Sequence, residues 1–372
     1  MGIIVKQKTK NLIIIGFIIY YLAFCSLGIF TTNEDYFVTA TTDEGTLYVN
    51  YLGEVDIGVG YKIRLENDRA YVSSNNGVEI IDIQDPTAPT LIGTYDEGAM
   101  GFDIKDNIMF TVDANGLVVV NATDADALEV IGTSDTGQWA YNVRLNNTLV
   151  FAISSGDIDI YDITSLNNPV RVGQYFDSGR GNDIVIYGEI AYYADPDEGL
   201  EVINVTDHTN PEKITTVSNT LGAWDLYRNN ELLYLGCHGA GLRVLDISNP
   251  TNPVVIKQFN DGGEVYGVCG NNSYVFLGDL QEGVEVLNYT DSYTLPEIAS
   301  YVATPHDIEF NENYIYLADQ DNGFILLELS QTQNTNTAGL NLYFTFLVLP
   351  LLGVRIIIYS KRRRKISAPK TN

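Results

Sequence analysis

Cysteine is almost missing from this chain: there are three in 372 residues, Cys25, Cys237 and Cys269, so a disulfide framework is excluded as the source of its stability. Cys237 ends a predicted second strand and Cys269 a predicted first strand, which places the two too far apart to bridge and makes them small core residues. Histidine is as scarce. His208, His238 and His306 fall in three different stretches without repeated partners, and the first two are expected in loops. No H-E-x-x-H, C-x-x-C, G-x-S-x-G or phosphate-cradling glycine loop occurs, which removes the motifs of zinc peptidases, dithiol enzymes, α/β-hydrolases and nucleotide binders. Positive charge is lacking where it would matter most. All 48 Asp and Glu lie between Glu34 and Glu328, and only 11 of the 21 Lys and Arg share that body, a net of −37. Such a body repels nucleic acid and favours solubility, cations or basic partners. The body also lacks any segment with a helical period.

What it does contain is one phrase written seven times, a glycine followed by a short apolar run. The copies begin at Gly77 (GVEIIDI), Gly116 (GLVVVNA), Gly156 (GDIDIYDI), Gly199 (GLEVINV), Gly241 (GLRVLDI), Gly283 (GVEVLNY) and Gly323 (GFILLEL), spaced by 39, 40, 43, 42, 42 and 40 residues. Self-similarity at this period signals one supersecondary unit repeated as a ring or array. Each unit holds four strand-sized runs of Val, Ile, Leu and Tyr bounded by Gly, Pro, Asn and Asp. Four short strands in about 41 residues fit a blade of a β-propeller. The weak alternation of runs such as Val78-Glu-Ile-Ile-Asp-Ile83 fits sheets covered on both faces. The expected fold is all-β, a seven-bladed propeller of four-stranded antiparallel blades over 46–330. The seventh unit has no fourth strand of its own, because Leu329 is followed by QTQNTNTAG. The unpaired strand at 46–55 is therefore expected to complete blade 7 beside 324–329 and to close the ring.

The phrases VEIIDI, LEVINV and LRVLDI, preceded by AYVSS or AYYAD and followed by DPTAP or SNPTNP, resemble the LVIVD-repeat family of β-propellers, found in secreted and surface proteins of bacteria and archaea. The resemblance covers about 46–330. The copies VVVNA and DIDIYDI depart from the pattern. The family implies the propeller fold and a place at the cell surface, and no established reaction.

The two ends are different material. Lys6, Lys8 and Lys10 precede an uncharged apolar stretch over 11–30, which makes 1–30 a signal peptide or an N-terminal membrane anchor. After a linker at 331–339, residues 340–360 are long and apolar enough for a transmembrane helix, and the cluster Lys361-Arg-Arg-Arg-Lys365 in the tail 361–372 marks its cytoplasmic side. The propeller is then expected outside the cell, tethered to the membrane by its C-terminal helix.

Candidate sites come from position rather than motif. The first strand of each unit opens with Tyr61-Lys62, Phe102-Asp103, Tyr141-Asn142, Asn182-Asp183, Trp224-Asp225, Tyr266-Gly267 or His306-Asp307. First strands of a propeller line its channel, so these pairs are expected to converge at one mouth. Asp103, Asp183, Asp225 and Asp307 are candidate ligands for a hard cation such as Ca²⁺. Tyr61, Phe102, Tyr141, Trp224, Tyr266 and His306 are candidates for contact with a sugar or a cationic ligand. The competing expectation is structural: aromatics wedged between blades, and aspartates capping turns. The acidic turns Asp195-Pro-Asp197-Glu198-Gly and Asp319-Gln-Asp321-Asn-Gly read as hairpin chemistry. Five sequons, at Asn121, Asn146, Asn204, Asn271 and Asn288, are glycan acceptors in an exported chain. Asn121, Asn204 and Asn288 also stand where other units place Asp82, Asp162 and Asp246, a slot that holds the following turn. These features together point to a membrane-anchored surface module that binds a protein or glycan partner without catalysis. The alternatives are a metal-assisted hydrolase or lyase at the mouth, using the four aspartates and His306, and a structural coat or adhesion component.

Overall fold

The structure, a computed structural model, describes residues 47–97, 101–112, 116–135, 140–154, 156–176, 179–290 and 294–331, together with 35–37 and 359–361. Seven four-stranded antiparallel sheets follow one another along the body. Their first strands are Gly60–Glu66, Phe102–Lys105, Ala140–Asn146, Asp183–Tyr187, Asp225–Asn229, Val265–Gly270 and Pro305–Asn311. Each of these touches the next, and the seventh touches the first, which makes the seven sheets a closed ring about a central channel. We number the blades 1 to 7 in this order.

Blade 7 is completed from the other end of the body. Tyr48–Val55 pairs antiparallel with Gly323–Ser330, in a register that runs from Tyr48 opposite Ser330 to Val55 opposite Phe324. The sequence expectation for 46–55 is met, and every blade has its four strands.

The repeated glycine has a physical cause. All seven phrase-opening glycines have positive φ, between 75° and 136°, a region that L residues enter only at a cost. Space forbids a side chain as well: a Cβ on Gly77 would sit 1.9 Å from the carbonyl oxygen of Tyr95 in the adjoining strand.

Burial follows strand position. The second and third strands are covered almost throughout, as in Ile190–Asp195 and Gly199–Asn204, whereas the fourth is half-exposed, as in Glu212–Val217. Core clusters mix adjacent blades: Phe110 and Val119 of blade 2 pack with Val143, Val150 and Ala152 of blade 3. Each large side chain so buried contributes about 1.5–3 kcal/mol. Cys237 and Cys269 are both buried free thiols, and burial pushes the Cys237 thiol up to about 12, so they act as apolar filler. Hence the fold stands without cross-links.

Separately, Asp35–Phe37 pairs antiparallel with Tyr359–Lys361. Of the two helices expected at 1–30 and 340–360, only residues 359 and 360 fall among the described residues, in that short strand. No helix among the described residues is long and apolar enough to cross a membrane.

Candidate functional site at the channel mouth

The charged residues at the strand openings form a belt between blades. Asp103 Oδ2 accepts the Leu145 N–H of blade 3 at 2.8 Å. Asp183 Oδ2 accepts the Leu226 N–H of blade 5 at 3.1 Å. Asp225 Oδ2 accepts the Val268 N–H of blade 6 at 2.8 Å. Asp307 Oδ2 accepts the Ile63 N–H of blade 1 at 3.0 Å, across the closing junction. In each case the carboxylate satisfies an amide of the next blade's first strand and so fastens that blade; Asp103 and Asp307 also accept the N–H of the following residue in their own strands.

Where the repeat departs from Asp, Asn142 and Lys62 join the same belt and Gly267 makes space for it. Asn142 donates through Nδ2 to Asp183 Oδ1 at 2.9 Å and to the Asn182 carbonyl at 3.0 Å. Gly267 leaves room for Asp307, whose Cα would lie 3.0 Å from an added Cβ. Lys62 reaches from blade 1 to Asp225 Oδ1 of blade 5 at 3.5 Å.

Two arginines complete the belt. Arg64 meets Asp307 Oδ2 at 3.2 Å and Glu309 Oε1 at 3.4 Å, and Arg144 grips Asp183 with two bonds of 2.8 and 2.9 Å. Five acids thus face three cations in a confined space. Burial raises the carboxyl pKa of Asp103, Asp183 and Asp225, opposed by Arg64 at the first and by Lys62 at the other two. Burial likewise carries Glu309 to about 7 against the pull of Arg64. For Lys62 burial works against the charge, but Asp307, Asp225 and Asp183 outweigh it and hold the ammonium pKa up.

These partners decide what the four aspartates can do chemically. Each gives lone pairs to backbone amides or to a cation of the chain, and none belongs to the group of carboxylates that, among the described residues, lie close enough together to share an ion.

The aromatic openings separate into two sets. Tyr61, His306, Tyr266 and Trp224, from blades 1, 7, 6 and 5, form a continuous half-buried array. Tyr61 stacks on His306 with centroids 5.6 Å apart and planes 14° apart, His306 lies 5.9 Å from Tyr266, and Tyr266 meets Trp224 edge-on at 5.2 Å. His306 Nδ1 faces the Gly60 carbonyl at 2.8 Å; a carbonyl can only accept, so this nitrogen carries a proton. Phe102 is not in the array. It is fully buried with Tyr71, Val78 and Met109 in the core shared by blades 1 and 2, and so has no surface to offer a ligand. Tyr141 of blade 3 is exposed.

His238 belongs to the array although its sequence position suggested a plain loop. It follows the second strand of blade 5 with φ of 43°, bridges to Val265 of blade 6, and places its ring 4.1 Å from Trp224 and 4.4 Å from Tyr266. Burial lowers its pKa, so the imidazole is neutral near pH 7. The only sequence signal was its place directly after a strand that ends at the mouth.

The acidic turns are turn chemistry, as expected: Asp195 Oδ1 accepts the N–H groups of Asp197 and Glu198, and Asp319 Oδ1 those of Asp321 and Asn322. Asn121, Asn204 and Asn288 hold the following turn through Oδ1 as Asp82, Asp162 and Asp246 do. Asn271 likewise accepts from Ser273 and Tyr274, and Asn146 from the Asn147 amide. At the opposite strand ends a hollow of about 540 Å³ is lined by Tyr187, Arg228, Tyr234 and Tyr289, with Arg228 4.5 Å above the Tyr187 ring.

A closed seven-bladed ring whose belt is internally paired and whose mouth presents aromatic rings is the frame of a propeller scaffold. LVIVD repeats match in four places, at 60–97, 178–218, 223–261 and 305–338, and the chain is an LVIVD-repeat β-propeller. A search of curated proteins finds no match. Among solved structures it is similar to the β-propeller domain of Myceliophteria thermophila Cps50 (Swd1), with TM-score 0.60 and 12% identity over 76% of this chain and 100% of that one. It is also similar to the WD40 β-propeller domain of Doa1, with TM-score 0.59 and 9% identity over 76% and 97%. The computationally designed Ika8 protein matches with TM-score 0.53 and 11% identity over 75% and 99%. At these identities the likeness is one of fold.

Proposed function

We propose that this protein is a non-catalytic binding module of the cell surface, which takes a protein or glycan partner on the aromatic array at the channel mouth. The array carries the reading: four rings from four blades, with His238 between two of them, present half-buried aromatic faces at one place. Such faces bind sugars and cationic side chains, and aromatic residues dominate protein interfaces. The fold is shared with WD40 propellers, which fits an interaction module. A net of −37 over the body selects basic or neutral partners and disfavours nucleic acid. The occupied lone pairs of Asp103, Asp183, Asp225 and Asp307 favour a belt that holds blades over a metal-assisted hydrolase or lyase.

Anchoring at the membrane by a helix at 340–360, with 361–372 cytoplasmic and the sequon asparagines glycosylated outside, is part of the same proposal and rests on the sequence. The test is co-purification with the tagged full chain from native membranes, comparing wild type with Trp224→Ala/Tyr266→Ala. Loss of the partner at an unchanged melting temperature supports the reading, and undiminished capture by the double variant overturns it.

A further inference from the structure

The third residue of blade 6's glycine phrase differs from its equivalents in a way that affects charge. In blades 1, 3 and 4 the corresponding buried acid has a counter-group. Glu79 accepts from Ser74, Asn76 and Thr94. Asp159 lies 2.6 Å from Arg171 Nη2. Glu201 accepts from Tyr175 at 2.7 Å and is bonded to Lys213. Arg171 and Lys213 hold the same place in their blades, each on the fourth strand opposite the residue two beyond the acid, Tyr161 and Ile203.

In blade 6 the acid is Glu285, and the fourth-strand residue opposite Leu287, two beyond it, is Glu297. The cation of blades 3 and 4 is replaced by a second carboxylate. Asp261, in the connection from blade 5, adds a third. One oxygen from each of the three lies within 4.8 Å of the others.

Glu285 makes this more than a group of surface acids. It is 2% exposed, and both carboxylate oxygens are buried with no N–H or O–H donor of the chain bonded to them, whereas the equivalent Glu79 and Glu201 of blades 1 and 4 accept from such donors. A buried acceptor left bare is costly, and a carboxylate more so. Asp279 Oδ2 nearby is also buried and unpartnered. Asp261 and Glu297 are exposed, so the cluster has a route to solvent.

We propose that Asp261, Glu285 and Glu297 bind a calcium ion, which supplies the positive charge that Arg171 and Lys213 supply in blades 3 and 4. Calcium suits the arrangement because it takes carboxylate oxygens at about 2.3–2.6 Å in flexible geometry, so opposed ligands stand about 4.6–5.2 Å apart. Magnesium demands about 2.0–2.1 Å and near-ideal octahedral order, and is the weaker fit. The site lies on the outer strands of blade 6, and calcium binding there does not depend on any partner at the mouth.

The test is thermal melting of the full chain in chelator, then in calcium chloride through the roughly 0.1–1 mM range of open sites of this kind, with sodium chloride matched for ionic strength. Wild type should gain several degrees with calcium and less with magnesium. Glu285→Gln, which keeps the shape, should lose the calcium response. Glu297→Lys, which recreates the blade 4 arrangement at an exposed position, should melt above wild type in chelator and also lose the response. If calcium shifts wild type no more than matched sodium chloride does, the acids share protons instead and the proposal is overturned. An equal calcium shift in wild type and both variants overturns it too, because the ion then acts elsewhere on the acidic surface.

Discussion

Arg64 and Asp307 meet across the joint where the ring closes, with Nη1 3.2 Å from Oδ2 and both side chains more than nine-tenths buried. The same Asp307 oxygen accepts the Ile63 N–H, so one carboxylate serves a backbone amide of blade 1 and the cation beside it. Removing one member of a buried pair strands the other charge, at a cost of about 3–5 kcal/mol. Asp307→Ala should therefore destabilise the chain by that order in denaturant unfolding. Asp103→Ala, whose carboxylate bonds Leu145 and Ile104 with no cation at bonding distance, should cost less. Equal losses would show that the ion pair adds nothing to the amide bonds.

Glu309 makes the same joint sensitive to pH. Burial raises its folded-state pKa from 4.5 to about 7, so between these values the folded chain holds a proton that the unfolded chain has released. Its contribution to stability is present below about pH 4.5 and is lost as pH rises to about 7. Glu309→Gln lacks this proton, so the stability of the variant relative to wild type should rise over that window. Parallel pH profiles for the two proteins would sink the assignment.

Gly77 offers a local test of the repeat. Its φ is 121° and an added Cβ would strike the Tyr95 carbonyl, so Gly77→Ala should cost at least about 1–3 kcal/mol from the backbone alone. Gly188, at φ 62° with open space about its Cβ, is the control: alanine there should cost only the conformational part.

The architecture was legible in the sequence because its markers are obligatory. A glycine that must hold positive φ recurs once per blade, and counting strands from it leaves only 46–55 to complete the last sheet. The belt was legible as a ring of acids but not as a structural device. Its amide partners, such as Leu145 for Asp103 and Leu226 for Asp183, lie about one repeat further along, and no local pattern shows that a carboxylate faces a neighbouring blade's N–H. His238 was hidden for a similar reason, since its ring neighbours lie far from it in the chain, Trp224 just before the first strand of blade 5 and Tyr266 on that of blade 6. The juxtaposition of Glu285 with Glu297 has a sequence signature in its spacing. Asp159 and Arg171, Glu201 and Lys213, and Glu285 and Glu297 all stand 12 residues apart, and only the last pair joins two acids.

Because Tyr48 faces Ser330 at one end of the closing pair, the chain enters and leaves the ring side by side. Tension applied through both flanks would open that pair like a zipper, one rung at a time, instead of shearing all its hydrogen bonds together. The latch that seals the ring at rest is therefore also where mechanical load would first undo it.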